Sequence, residues 1–372
     1  MNKVLGIVNL HDSPSLGVLT ARRPLGVTSF LGRYGLMDFT LSNYSNSGID
    51  RVIVLAEREA HSVRSHLGDG QVWVRNTKLG FQRIYKNESL LPSSKFNTDI
   101  ANLKSNSNTI GEIPFEYVVI APSFFIMSYD YNELIQSHIE SGADVTVLTK
   151  RVPGSNKDFL NADVAEVEEE GKVSRFFTNT GRRKEVDISL ESFVFTRSAF
   201  ERMIKESGEV SLLYSIRRMV AYYAENHLMD VRALPFDGYV VPILSLNLYV
   251  KHSFDLLQYS SRLKIFKDEW PIYTTTHNTP PALYGERAIV SNSFIANGSI
   301  IKGRVKNSII SRDVIVEEGA VVEDSIIFTQ TEIGKDIKLR YVLADKHVKF
   351  VEQKKVNGEK DEILYIEQGV RV

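Results

Sequence analysis

The chain has 372 residues, enough for two domains, and its 43% hydrophobic and 24% charged residues are typical of a protein that folds around a core. A net charge of −1 gives no basis for binding nucleic acid or an anionic membrane, and no apolar run approaches the roughly 18 residues of a membrane span. The absence of cysteine excludes thiolate chemistry and fits the reducing cytoplasm, where we expect the protein to work.

Strands and helices alternate from the beginning of the chain. Val4 to Val8 is apolar enough for a buried strand, and Arg51 to Leu55 predicts a second one. Between them, residues 35–48 predict a helix that ends at Asn46-Ser47-Gly48. This alternation predicts a Rossmann-like α/β domain with a mostly parallel sheet.

A second strand–loop–helix unit lies near the middle of the chain. Val118 to Ala121 predicts a strand, and the spacing of apolar residues from Tyr131 to Ile139 predicts a helix with Asp130 as its N-cap. Ligands of parallel sheets bind outside the carboxyl ends of the strands, where catalytic loops carry polar groups. This loop offers Ser123 followed by two phenylalanines, so a catalytic role for it is disfavoured.

The regions around this unit are less regular. Residues 95–109 are rich in Asn and Ser and predict an exposed loop or a short irregular helix. Alternation over 163–177 predicts a hairpin, and residues 211–225 predict a helix with Leu212 facing inward.

Aliphatic residues recur every six positions in the last part of the chain. They are Ile309, Ile315, Val321, Ile327, Ile333 and Leu339. Such a period, with Gly, Asn, Ser and Asp between the steps, predicts a left-handed parallel β-helix of hexapeptide repeats. We therefore expect an α/β domain over residues 1–264, a linker over 265–285 and a β-helix domain over 286–372.

Two classes of enzyme combine an α/β domain with a hexapeptide β-helix: nucleotidyl transfer to a sugar phosphate, and acyl transfer within the β-helix. Acyl transfer needs a histidine base in the coils. The region after Ala288 contains only His347. A lone histidine there is more often a surface or packing residue, which disfavours acyl transfer.

A series of short motifs in the first 50 residues resembles the glucose-1-phosphate adenylyltransferase (ADP-glucose pyrophosphorylase) family. The segments are Leu16-Gly17-Val18-Leu19-Thr20, Arg22-Arg23, Phe30-Leu31-Gly32-Arg33-Tyr34, Met37-Asp38-Phe39-Thr40-Leu41-Ser42-Asn43 and Asn46-Ser47-Gly48-Ile49. The resemblance continues through Tyr129-Asp130-Tyr131 and residues 189–195 into the β-helix. It implies a nucleotidyltransferase domain followed by a β-helix.

The chain departs from the family at the loop that holds nucleotide phosphates. The resemblance implies a Gly-rich loop with an arginine, whose backbone N–H groups approach the phosphates. Here residues 9–15 lack glycine, Asp12 would repel phosphate, Pro14 has no N–H, and Ser15 stands where the family has its arginine. Leu25 stands where the family has a lysine.

Two further departures fall on the positions of the magnesium carboxylates. The resemblance implies an aspartate after the central strand, where this chain has Phe124, and a second one in a later motif, where it has Pro242. The family's Glu-Lys pair for the sugar phosphate falls on Thr178-Asn179. We therefore predict no catalytic residue, no metal site and no cofactor in this chain, with Mg²⁺ confined to a catalytic partner.

The basic pair Arg22-Arg23 is kept. It is either a solvated surface pair or, as the resemblance implies, part of a site for an anionic sugar-phosphate or nucleotide effector.

The expected function is that of a non-catalytic regulatory subunit, which assembles with a catalytic homologue, as a heterotetramer, in glycogen synthesis. The alternatives are a free-standing nucleotidyltransferase with a rebuilt site and a sugar-phosphate or nucleotide sensor. The apolar run of residues 362–367 either caps the β-helix or pairs with a neighbouring subunit.

Overall fold

The computed structural model describes residues 3–57, 60–87 and 97–372, which form two compact units. The first unit contains residues up to Val27, Leu36–Leu244 and Phe266–Thr275, and the second contains Thr28–Gly35, Ser245–Ile265 and Thr276–Val372. Residues 245–264 thus group with the β-helix, whereas the sequence places them in the α/β domain; the predicted boundaries stay a prediction.

The regular elements alternate as the sequence predicts. The strands up to residue 242 are β1 Val4–Asn9, β2 Ser29–Phe30, β3 Tyr34–Gly35, β4 Arg51–Ala56, β5 Phe81–Lys86, β6 Tyr117–Pro122, β7 Phe125–Ile126, β8 Val145–Pro153, β9 Asp163–Val167, β10 Val173–Thr178, β11 Glu185–Thr196, β12 Val231–Pro235 and β13 Val241–Pro242. The helices are α1 Met37–Asn46, α2 Ala60–Leu67, α3 Asp99–Ser105, α4 Ser107–Gly111, α5 Tyr131–Ser141, α6 Arg197–Val210, α7 Ile216–Glu225, α8 Leu246–Asp255 and α9 Tyr259–Arg262.

The main sheet of the first unit runs in the order β10-β9-β11-β6-β1-β4-β5, with β8 pairing with β11 and β12. Strand β1 is parallel to both β4 and β6, and β4 is parallel to β5. Strand β11 is antiparallel to β6, β8 and β9. The predicted α/β domain with a mostly parallel sheet is confirmed.

Helix α1 is fixed under the centre of this sheet by one tyrosine. The hydroxyl of Tyr44 donates to the carbonyl oxygens of Ile7 in β1 and Val119 in β6, at 3.0 and 3.1 Å. A Cβ atom at Gly6 would lie 3.0 Å from the Tyr44 ring. Glycine therefore lets α1 approach β1, which sets the position of the β1 carboxyl end.

Helix α5 follows β6 with the ends that the sequence predicts. The side chain of Asp130 accepts a hydrogen bond from the Asn132 amide, and Gly142 ends the helix with a φ of 64°. These are the N-cap and the left-handed C-terminal residue of a regular helix.

The predictions for the less regular regions are confirmed only in part. Of the two alternatives for residues 95–109, an exposed loop or a short irregular helix, the structure shows short helices, α3 and α4. Asp99, Ile100 and Leu103 of α3 are nevertheless buried, because Thr98 caps the helix and its apolar face packs on the core. Leu212 is 64% exposed, because α7 begins only at Ile216. Residues 95 and 96 of the predicted loop lie outside the described residues.

The second unit contains stacked strands in three parallel sheets, β14-β17-β20-β23-β26, β15-β18-β21-β24-β27 and β16-β19-β22-β25-β28. The strands are β14 Leu283–Tyr284, β15 Ile289–Ser291, β16 Phe294–Ile295, β17 Ile300–Ile301, β18 Arg304–Lys306, β19 Ile309–Ile310, β20 Ile315–Val316, β21 Val321–Glu323, β22 Ile326–Ile327, β23 Glu332–Ile333, β24 Lys338–Arg340, β25 Val342–Ala344, β26 Lys349–Phe350, β27 Lys355–Asn357 and β28 Leu364–Ile366. This arrangement is that of a hexapeptide-repeat parallel β-helix and confirms the predicted fold class.

The strict period of six is wrong in one detail. Ile310 pairs with Ile327, Val316 with Ile333 and Val322 with Leu339, so these central coils take 17 residues each, whereas the pairing of β16 with β19 spans 15 residues and that of β25 with β28 spans 22. One side of the coil is therefore a residue shorter than the other two. As a result Val316 and Val322 are fully buried, while Ile315 and Val321, predicted to point inward, are only half-buried.

Polar residues stack at one corner of the coil. Asn307, Asp324 and Tyr341 have φ values of 48°, 49° and 53°, a left-handed conformation that Asn and Asp tolerate. The Asn307 side chain donates to Asp324 at 2.7 Å, and Asn292 donates to Asn307 at 2.9 Å. This ladder satisfies the polar groups of successive turns.

The C-terminal apolar run closes the coil. Leu364–Ile366 pairs in parallel with Val342–Ala344 as the last strand of its sheet. The hydroxyl of Tyr365 donates to the buried carboxylate of Asp345 at 2.7 Å. The segment was expected either to cap the β-helix or to pair with a neighbouring subunit. In the structure it pairs within its own chain, as a cap would.

Over the part of the chain that the structure describes, we find no helix of the length and apolarity needed to cross a membrane.

Matched substitutions at the β-helix test the 17-residue coil. We expect Val322→Ala to lower the free energy of unfolding by about 1–3 kcal/mol, since it leaves a cavity among fully buried side chains. Val321→Ala should cost less than about 0.5 kcal/mol, because that side chain is half-exposed. Calorimetric or urea-induced unfolding of the two variants measures the difference; equal losses would contradict the register.

Candidate functional site

The loops that follow β1 and β6 emerge at the same edge of the sheet, since the two strands are parallel neighbours. This edge is the place where α/β sheets bind ligands. The structure can be compared with three sets of positions from the sequence analysis: those implied for magnesium carboxylates, those implied for phosphate binding, and the basic pair.

The two positions at which the resemblance implies magnesium carboxylates come together, and both are apolar. Strand β7 pairs with β13 so that Pro242 lies opposite Phe125, and the Ile243 amide donates to the Phe124 carbonyl at 2.8 Å. Phe124 is only 2% exposed, and its ring centroid lies 4.9 Å from that of Phe125. The structure thus places the two positions side by side, as a shared metal site would require, but the side chains at both positions are apolar.

These residues do not fit a magnesium ion. Mg²⁺ requires oxygen ligands in near-octahedral geometry, and neither a phenylalanine nor a proline side chain supplies one. Among residues 3–57, 60–87 and 97–372, no group of three or more Asp, Glu or His side chains is arranged to hold a metal.

The two phosphate-loop positions also carry no charge. Leu25 is buried in the 3₁₀ turn Leu25–Val27, where a Cβ on the adjacent Gly26 would lie 2.6 Å from the Leu10 side chain. Ser15 is exposed, and its hydroxyl accepts a hydrogen bond from the Gly17 amide at 3.1 Å. Leu25 therefore packs in the core, and Ser15 stabilises a local turn.

The basic pair follows the 3₁₀ turn Gly17–Thr20. Arg22 is exposed and Arg23 is half-buried. Asn179, placed at the sugar-phosphate motif, is buried and donates to the carbonyl oxygens of Gly154 and Phe159 at 3.1 and 3.0 Å. Its side chain therefore holds the β9–β10 region together.

A small polar pocket lies at the carboxyl ends of β1 and β6. Among the residues that line it are Asn9, His11, Asp12, Asp99, Pro122, Glu191 and Arg217. Sequence analysis missed this set, apart from Asp12.

Asp99 is the most buried carboxyl group of the pocket, with 1% exposure. It accepts hydrogen bonds from the Asn9 side chain at 2.8 Å and from the Ile100 and Ile216 amides at 2.7 and 3.0 Å. Burial, with a smaller contribution from the charge of Asp12, raises its pKa to about 7, although the hydrogen bonds oppose the shift.

Arg217 is the cation of the pocket. Its Nη1 lies 3.1 Å from Asp163 Oδ2 and 3.5 Å from Glu191 Oε1, and its Nε lies 3.9 Å from Asp12 Oδ2. Because the pairing between Ser189 and Phe193 is interrupted by a bulge, Glu191 adopts a φ of 49° there. Arg217 therefore joins the loop after β1 to β9 and β11.

Glu191 holds its proton to an unusually high pH. Burial raises its pKa to about 8; Arg217 opposes the shift, and the charges of Asp163, Asp12 and Asp99 add to it. Burial likewise lowers the pKa of His11 to about 4, and its ring nitrogens lie 3.3 Å from the Asn97 carbonyl oxygen and 3.1 Å from the Asn102 side-chain nitrogen. His11 is therefore neutral near pH 7 and adds no positive charge.

The pocket is thus acidic. Arg217 faces the carboxyl groups of Asp12, Asp163 and Glu191, and Asp99 lies beside them. A nucleotide polyphosphate is an anion, and a phosphate site needs donors and cations. The charges here are arranged to satisfy one another, and a phosphate would meet carboxylates.

Comparison with known proteins identifies the chain. A nucleotidyl transferase family model matches residues 16–233, and a model described as GlmU-like, C-terminal hexapeptide matches residues 280–366. The glucose-1-phosphate adenylyltransferase of Fervidobacterium nodosum is 31% identical over 340 residues, which cover 91% of this chain and 81% of that protein. The chain belongs to the glucose-1-phosphate adenylyltransferase family.

Two further relatives carry the same name. The glucose-1-phosphate adenylyltransferase of Bacillus cereus strain Q1 is 27% identical over 372 residues, covering 95% of each protein. That of Anaeromyxobacter sp. is 26% identical over 362 residues, covering 90% of this chain and 87% of the relative. The family resemblance therefore extends through both the α/β and the β-helix regions.

The raised pKa of Glu191 predicts how stability depends on pH. Between the unfolded pKa near 4.3 and the folded pKa of about 8, the native state holds a proton that the unfolded state has released. This group therefore lowers the free energy of unfolding as pH rises through that window, by at most about 1.4 kcal/mol per pH unit. Glu191→Gln should remove this contribution.

We expect Glu191→Gln to match the parent protein near pH 4 and to exceed it in stability near pH 9, in urea titrations at both values. Glu185→Gln, an exposed glutamate at the start of the same strand, serves as the control and should leave the pH profile unchanged. Parallel pH profiles for Glu191→Gln and the parent would contradict the assignment.

Proposed function

We propose that this member of the glucose-1-phosphate adenylyltransferase family is a non-catalytic regulatory subunit that assembles with a catalytic homologue in glycogen synthesis. The observation that carries the proposal is the pairing of β7 with β13, which sets Pro242 opposite Phe125 and next to the buried Phe124. It puts an apolar contact where the family resemblance implies two magnesium carboxylates.

Charge supports the same proposal. Nucleotidyl transfer depends on cations that neutralise the charge developing on the phosphates. In this chain the positions implied for an arginine and a lysine hold Ser15 and Leu25, while Arg217 faces the carboxylates of Asp12 and Asp163. Each missing cation or metal ligand is worth a few kcal/mol of transition-state stabilisation, so the absence of all of them favours an inactive site.

A regulatory role further requires that an effector or a partner be recognised. The exposed Arg22 and the half-buried Arg23 offer guanidinium groups to an anionic sugar phosphate or nucleotide. The proposed partner is a catalytic homologue, in a heterotetramer, and the cytoplasmic location expected from the sequence stays a prediction.

The chain alone should not make ADP-glucose. Purified free of any partner and supplied with ATP, glucose 1-phosphate and Mg²⁺, it should show no product above the level of a heat-inactivated sample. Phe124→Asp combined with Pro242→Asp should not restore activity, because Ser15 and Leu25 still leave the phosphates without cations. Turnover by the unmodified chain in the usual range of about 1–10³ s⁻¹ would instead favour a rebuilt active site.

Mixed with a catalytic homologue, the chain should form a hetero-oligomer whose activation by sugar phosphates differs from that of the homologue alone. Co-purification and light scattering report assembly, and kinetics of the complex report regulation. Arg22→Ala with Arg23→Ala should weaken activation while leaving assembly and basal rate intact. If the two proteins elute separately at micromolar concentration and the kinetics of the homologue are unchanged, the result would contradict the proposal. It would favour the hypothesis of a sensor without an enzyme partner.

A further inference from the structure

A second cavity of about 340 Å³ lies on the helical side of the first unit, away from the carboxyl edge of the sheet. Helices α4 and α6 form its walls, with Lys104 of α3 at its rim. We refer to it as the α4–α6 pocket. Its volume falls within the range of about 300–1,000 Å³ that is typical of small-molecule sites.

The floor of the α4–α6 pocket is apolar. Ile110, Phe115, Phe200 and Ile204 line it, and their exposures of 3%, 5%, 0% and 8% show that they belong to the core. A ligand with an apolar body would therefore contact core side chains directly. Such contact is the main source of affinity in small-molecule sites.

The rim of the pocket is positive. Lys104 and Lys205 are both exposed and line the cavity, and within the described parts of the chain neither forms an ion pair. The Lys104 ammonium lies over α6, since a Cβ at Gly208 would be 2.7 Å from its Nζ. Two lysine ammonium groups therefore stand at the mouth of an apolar cavity.

Among the described residues that line the pocket, the one carboxylate, that of Glu201, is already neutralised. Glu201 accepts a hydrogen bond from Arg197 Nε at 2.7 Å. Arg197 also donates to the Gly111 carbonyl oxygen at 3.0 Å, and its guanidinium stacks 4.6 Å from the Phe115 ring centroid. The net charge presented to a ligand is consequently that of the lysines.

We propose that the α4–α6 pocket binds a small amphipathic anion, that is, an aromatic or branched apolar group carrying one carboxylate, sulfonate or phosphate. The apolar body would lie on Phe115, Phe200 and Ile204, and the anionic group would face Lys104 and Lys205. This site is independent of the proposed regulatory role, because none of its residues lies at the carboxyl edge of the sheet.

Gly111 offers a way to close the pocket without disturbing its walls. A Cβ atom built on Gly111 meets nothing within 4 Å, and the residue ends α4. Because Gly111 also lines the cavity, we expect the ring of Gly111→Phe to occupy part of it, whereas Gly111→Ala makes the same backbone change and leaves the cavity open. Thermal unfolding of both variants confirms that they fold.

Equilibrium dialysis of the full chain with naphthalene-2-sulfonate tests the proposal. We expect saturable binding with a Kd of about 0.1–1 mM, retained in Gly111→Ala and lost in Gly111→Phe. Lys104→Ala with Lys205→Ala should weaken binding about tenfold, while the uncharged naphthalene-2-methanol keeps its weaker affinity. Lys78→Ala with Lys172→Ala, exposed lysines elsewhere, should change neither.

Three results would overturn the proposal. They are no saturable binding at millimolar ligand, equal binding to Gly111→Phe and Gly111→Ala, or an equal loss of both ligands in the double-lysine variant. Displacement by methanesulfonate, which has the charge but no apolar body, would also contradict it. Each outcome is independent of ADP-glucose synthesis, so failure here leaves the proposed function untouched.

Discussion

The buried carboxyl group of Asp99 fixes the elements around the candidate site. It accepts hydrogen bonds from Asn9 at the end of β1, from Ile100 in α3 and from Ile216 at the start of α7. Burying a carboxyl group without such hydrogen bonds costs several kcal/mol of folding free energy. Moving any of the three donors away from Asp99 would therefore destabilise the fold. The end of β1 and the starts of two helices therefore have a single relative arrangement.

The position of Arg217 follows from this arrangement. It comes directly after Ile216, so the contact that fixes the start of α7 also brings the guanidinium to Asp12, Asp163 and Glu191. The cleft is thus closed by charges of the chain itself. In a phosphate site the cationic side chains have no anionic partner until the ligand binds. Here the Arg217 guanidinium already has carboxylate partners within the chain.

Local patterns in the sequence predicted much of the fold but not the pocket. The caps of α5 depend on Asp130 and Gly142, which act on neighbouring backbone groups, and the sequence therefore predicts them. Phe124 and Pro242 could be identified as departures from the resemblance, but they come near each other only because β7 pairs with β13, which is distant in sequence. Asp99 was predicted on an exposed loop or a short irregular helix, and its burial was missed because its partners come from three separate elements. Thr98 as a helix N-cap before Asp99-Ile100 was the available signal.

The family resemblance implies carboxylates at the positions of Phe124 and Pro242, and apolar residues there have a physical consequence beyond the absence of metal ligands. Two buried carboxylates side by side repel each other unless a cation lies between them, and active sites of this kind are held at a cost in stability. An apolar contact at the same place removes that repulsion and adds buried surface. The edge of the sheet then no longer needs a metal to be stable, which fits a chain whose proposed work is done through contacts with another subunit.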